Sequence, residues 1–148
     1  MAAGTHAFLF EEGAWSATGT FFDRGEAARP ARGRTVVRHG CDAWTIEGSM
    51  TIDGDTPVTI ENAYEIVPPS DLGAPISWSS RNPLLGRLDG TFAVVDEFIL
   101  SSFTGAEAGA AGSETLLCLA CDRYRAVGVL VSAGAVVSTW SMVLVRAG

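Results

Sequence analysis

The stretch from Trp44 to Val67 switches between apolar and polar at nearly every step. In AWTIEGSMTID, Trp44, Ile46, Met50 and Ile52 fall on one side. Thr45, Glu47, Ser49, Thr51 and Asp53 fall on the other. PVTIENAYEIV repeats the pattern, with Val58, Ile60, Tyr64 and Ile66 opposed to Thr59, Glu61 and Glu65. Successive side chains of a strand point to opposite faces, so this alternation predicts strands with one buried and one wet face. Gly54-Asp55 between the two runs predicts a tight hairpin turn. A sheet whose two faces differ in this way is antiparallel.

The same reading places further strands at 15–22, 35–39, 75–80, 88–95, 97–103, 115–121, 123–131 and 135–146, with the last hairpin turn at Ser132 to Ala135. No stretch carries a helical apolar period, apart from one turn at 83–85. Consecutive short hairpins predict an all-β fold, and closing the meander removes its edges. The expected architecture is a single domain over 1–148, an up-and-down antiparallel barrel of about eight to ten strands, wide enough for one small ligand.

Composition narrows the function. The chain has 148 residues, 47% of them hydrophobic, and a mean hydropathy of +0.24. That excess must enter a thick core, a lined cavity or a subunit interface. The net charge is −7, with ten Arg and no Lys. Phosphate binding needs clustered positive charge, so no nucleic-acid partner is expected. The one basic run, RGEAARPARGR at 24–34, reads as a solvated loop. Three Cys do not suggest a secreted disulfide framework. Cys118 and Cys121 have CxxC spacing but read as strand residues of the core rather than a redox pair. Zinc would need two more ligands, and only His6 and His39 are available, so neither metal nor cofactor is expected. MAAGTHAFLF has no basic region before a long apolar run, and no segment reaches membrane-spanning length. The expectation is a cytoplasmic protein with no membrane partner.

Gly13-x-Trp15, at the start of the first long strand, resembles the G-x-W signature of the calycin superfamily, which includes lipocalins and fatty-acid-binding proteins. The resemblance implies a ligand-binding barrel whose Trp plugs the closed end, with an Arg of the last strand packed across the ring. Arg146, in SMVLVRAG, fits that place, and Arg125 fits less well. Both Trp15 and Arg146 would then be structural.

Alternation sends Trp44, Met50, Ile60, Asn62, Tyr64, Trp78, Phe92, Phe98, Leu100, Tyr124 and Trp140 inward. Trp44, Asn62, Tyr64, Trp78, Phe92, Tyr124 and Trp140 are the candidate ligand-binding residues, an aromatic wall with a few polar groups. A buried amide or phenol needs a hydrogen-bond partner, which Ser80, a water or a ligand could supply. Glu47, Glu61 and Glu65 fall on the wet face, and Asp96 and Glu97 in a turn. His39, at a strand end, could ligate haem or act as a base, but it shows no partner. No catalytic motif is present. The sequence therefore favours a binding protein for an apolar or aromatic small molecule. An isomerase or cyclase on the same barrel is the alternative, and a filled structural barrel the third. The late strands are apolar on both faces. Val127, Val129, Val131, Val137, Val143 and Val145 predict an outer patch, covered in a homodimer or by the N-terminal THAFLF folding back.

Overall fold

The computed structural model describes residues 6–24, 27–71, 73–83, 85–106 and 109–147. Its ten strands are β1 (Gly13–Asp23), β2 (Arg29–His39), β3 (Trp44–Ile52), β4 (Val58–Ile66), β5 (Ile76–Asn82), β6 (Gly86–Val95), β7 (Phe98–Gly105), β8 (Ala111–Ala120), β9 (Arg123–Ser132) and β10 (Ala135–Arg146). Each strand pairs antiparallel with the next, and β1 also pairs with β10, closing an up-and-down barrel. No helix occurs among the described residues, and Leu84 of the turn expected at 83–85 lies outside them. No helix is long and apolar enough to cross a membrane.

The Arg-rich run corrects the loop reading, because β2 starts at Arg29. Pro30 is tolerated there for a geometric reason. Its carbonyl accepts from the Asp53 N–H at 2.9 Å. Its missing N–H therefore faces the side where β3 has already ended. Two of its arginines are paired: Arg29 with Asp23 at 3.0 Å and Arg32 with Asp53 at 2.6 Å. The final hairpin turns through Ala133 and Gly134, both at positive φ, the conformation that suits a right-twisted hairpin.

The closing ladder runs from Trp15↔Arg146 to Asp23↔Ser138. At its far end Trp15 is 1% exposed. The Arg146 guanidinium lies 5.9 Å from the Trp15 ring centroid, as the G-x-W resemblance implied. Arg146 also donates to the Glu11 carboxylate at 3.0 Å and to the Glu12 carbonyl at 2.8 Å. A Cβ on Gly13 would sit 3.1 Å from Arg146 Nε, so the glycine gives the guanidinium its room.

Residues 6–10 fold back, but over this closed end and not over the outer valines; Thr5 of THAFLF lies outside the described residues. Phe8 packs edge-on to Trp15, with ring centroids 5.5 Å apart, and also meets Tyr124. His6 holds the segment with both ring nitrogens, one 2.7 Å from the Tyr124 hydroxyl and the other 2.7 Å from the Asp96 carbonyl. Leu9 adopts φ 73° and is fully buried. The contacts of the buried side chain offset the strain of a left-handed leucine.

Three local readings change. In β7 the inward residues are Ile99 and Ser101, while Phe98 and Leu100 are 37% and 40% exposed. FIL is apolar at successive positions, so its pattern does not set the phase. A bulge between Val136 and Ser138 turns Val137 into the barrel, away from the outer patch. Cys118 is buried, but Cys121 falls in the β8–β9 turn and is exposed.

Trp15→Ala should cost about 3–5 kcal/mol in urea unfolding, the range for removing a large buried aromatic. A loss below about 1 kcal/mol would contradict the packing of the closed end.

Candidate functional site

Above the closed end the barrel encloses a cavity of about 550 Å³. It runs from Phe8 at the floor to Asp23, Arg29 and Val58 at the rim. Ligand pockets are about 300–1,000 Å³ and mostly apolar, and this one is of that kind. Its walls are set by pairs across adjacent strands. Trp78 stands opposite Gly90, Phe103 opposite Gly112, and Trp140 opposite Gly128. A Cβ on any of the three glycines would overlap the facing ring. Each ring therefore lies flat on a strand instead of reaching for the barrel axis, and the centre stays open.

Five of the seven candidate residues line this space: Asn62 and Tyr64 from β4, Trp78 from β5, Phe92 from β6 and Trp140 from β10. Tyr64 and Phe92 flank Trp78, with ring centroids 4.9 and 5.9 Å from it. Two candidates lie elsewhere. Tyr124 is fully buried in the closed end, bonded to His6 and edge-on to Trp15. Burial pushes its phenol pKa up, and Cys118 beside it adds to the rise. Trp44 stacks on His39, with centroids 3.8 Å apart, and takes the edge of Phe10. His39 also bonds the Leu9 carbonyl at 2.8 Å. It supports the N-terminal segment and does not line the cavity, so the haem and base roles lose their placement. Ser80 is buried without a partner for its hydroxyl. Glu47, Glu61 and Glu65 are exposed, as their phase predicts.

The group that sequence reasoning missed is Glu114 of β8. Protein surrounds it, and the surface it retains faces the cavity. One carboxylate oxygen accepts the Trp140 indole N–H at 2.6 Å. Burial raises its pKa, and the indole hydrogen bond only partly opposes this. Burial also raises the Tyr64 phenol, and the nearby Glu114 charge raises it further. Tyr64 comes from β4 and Glu114 from β8, so two polar groups approach from opposite walls.

The wall has one thin seam. β4 and β5 pair only from Ala63↔Arg81 to Ile66↔Trp78. Beyond that, Asn82 Nδ2 donates to Asn62 Oδ1 at 3.1 Å, a side-chain bond across the gap in main-chain pairing. The amide that alternation placed inward thus finds its partner within the wall.

No family model matches the chain, and no curated protein matches it by sequence. Several solved structures match it, and two of them align over nearly its whole length. Rv2717c from M. tuberculosis superposes with a TM-score of 0.68 at 15% identity, covering 100% of this chain and 99% of that one. The S-type phycobiliprotein lyase CPES from Guillardia theta gives a TM-score of 0.65 at 9% identity, covering 93% of this chain and 89% of that one. At 15% and 9% identity the likeness is one of fold, and it agrees with the barrel that G-x-W implied.

The raised Glu114 pKa has a measurable sign. Above the ordinary carboxyl value of 4.5, the folded chain keeps a proton that the unfolded chain has lost. Stability therefore falls as pH rises through that value toward the folded pKa. Glu114→Gln keeps an acceptor for Trp140 and has no such proton. Its stability relative to the unaltered chain should rise in urea unfolding as pH is raised from 4.5 toward the folded pKa. A difference independent of pH would show that Glu114 is solvated.

Proposed function

We infer that this chain binds a flat, largely apolar small molecule inside the barrel. The observation that carries the reading is the open centre, held by aromatic rings lying flat on facing glycines. Aromatic walls with few polar groups suit a conjugated ligand, because ring faces stack on it at little conformational cost. Asn62, Tyr64, Trp78, Phe92 and Trp140 are the proposed contacts.

Glu114 favours one second reading. A carboxyl inside a cavity whose pKa burial raises is a feature common at catalytic sites. An isomerase or cyclase would use it as proton donor to a substrate folded against the rings. The two readings part on turnover: a binding protein releases its ligand unchanged.

Assembly follows from the outer face of β7 to β10. Phe98, Leu100, Leu119, Val127 and Val143 are exposed there. The outward positions of these four strands include Arg123 and Arg125 but no carboxylate. On a chain of net charge −7, two copies meeting here bring none of their carboxylates together. The proposed occupant is a second copy related by a two-fold axis.

Nile red, a neutral apolar dye, should quench Trp emission saturably at one site per chain. Ala126→Phe, which adds a ring to the cavity lining, should weaken that binding about tenfold or more. No saturable quenching would remove the binding reading. Sedimentation at low micromolar concentration should give twice the 15.5 kDa chain mass, and a single chain mass would remove the dimer.

A further inference from the structure

We propose that the cavity selects flat ligands whose buried end carries a cationic nitrogen, as in an amidine or a protonated heterocyclic amine, seated against Glu114. The proposal rests on the reading of the barrel as a small-molecule binder and names the ligand class.

The argument begins with the charges around the space. Asp23 and Arg29 at the rim pair at 3.0 Å and offset one another. Arg34 contributes to the lining, but its residue is exposed on the outward phase of β2. Tyr64 is a phenol whose ionisation burial opposes. Glu114 remains, the one acidic group of the described lining without an ion pair.

Its geometry is that of a half-built recognition site. Trp140 Nε1–H occupies one carboxylate oxygen at 2.6 Å. A carboxylate has about four lone-pair sites, so most of its accepting capacity is left to the cavity. The Trp140 ring cannot turn away, because it is laid over Gly128. The indole thus fixes the carboxyl in place and leaves its other oxygen for an incoming donor.

A cationic nitrogen satisfies this arrangement in a way a neutral or anionic group does not. It is met by the ionised form of Glu114 in a charge-assisted hydrogen bond, any proton held by the acid passing to solvent. The faces of Trp78, Tyr64 and Trp140 add attraction for a cation, since aromatic faces are electron-rich. A carboxylate ligand brings a negative charge into the same apolar space, beside a group whose own ionisation burial already opposes. The proton released on binding sets the pH dependence. Affinity for the cation rises with pH up to the pKa of Glu114 in the empty barrel, whereas a neutral isostere shows no such slope.

The test uses three isosteres on the full chain: naphthalene-2-carboxamidine, naphthalene-2-carboxamide and naphthalene-2-carboxylate, titrated by calorimetry across pH 5 to 8. The amidine should bind about tenfold or more tighter than the carboxylate, with an affinity that rises with pH. Glu114→Gln should bring the amidine down to the level of the amide, its folding checked by its urea midpoint. A carboxylate that binds the unaltered chain as tightly as the amidine overturns the proposal. So does Nile red binding without any preference for the amidine, an outcome that leaves the parent reading standing. Failure of Nile red itself to bind strikes the parent reading instead.

Discussion

An aromatic ring lying on a glycine across the strand pair is the contact on which the cavity depends. Trp78, Phe103 and Trp140 are large enough to meet near the barrel axis. Gly90, Gly112 and Gly128 let them lie along the wall instead. A side chain at any of these glycines would tip a ring inward and fill the centre. The same contact orders the chemistry. Trp140, flattened over Gly128, is aimed at Glu114, so one backbone position governs both the volume of the pocket and the posture of its acid.

The closed end uses a different logic. Trp15, Phe8 and Tyr124 form a dry aromatic cluster, and the Tyr124 hydroxyl is tied to His6. His6 spends both nitrogens there, and His39 is committed to Leu9 and Trp44. Two residues that a sequence reader would reserve for metal or proton chemistry serve to hold residues 6–10 against the barrel floor.

What the sequence discloses follows from how the strands are buried. β3 and β4 are wet on one face, so their alternation places Asn62 and Tyr64 correctly. β7 is apolar at successive positions, and its phase is invisible until Ile99 and Leu100 are seen on opposite sides. The β10 bulge breaks the count at Val137. Tyr124 has the inward phase that alternation gave it, but sequence does not say which part of the interior it enters. Glu114 sits between Ser113 and Thr115 and reads as part of a polar edge. Its parity with Leu116 and Cys118 was the available signal, since both of those point inward. A single carboxyl on an interior phase is easily dismissed, because its indole partner lies 26 positions away.

Closure by β1 and β10 also governs how such a chain reaches its native state. Glu11 and Arg146, joined by an ion pair at one end of this ladder, are 135 positions apart. Contacts between distant positions are reached only after a large loss of chain entropy, and folds rich in them assemble slowly. Nine hairpin pairings can form between neighbours along the chain, but the tenth waits for the final strand. Until then β1 and β10 are open edges able to pair with another molecule, and the aromatic interior faces solvent. A ligand that fits the rings would stabilise the closed form by mass action, so its supply during synthesis would raise the yield of closed barrels.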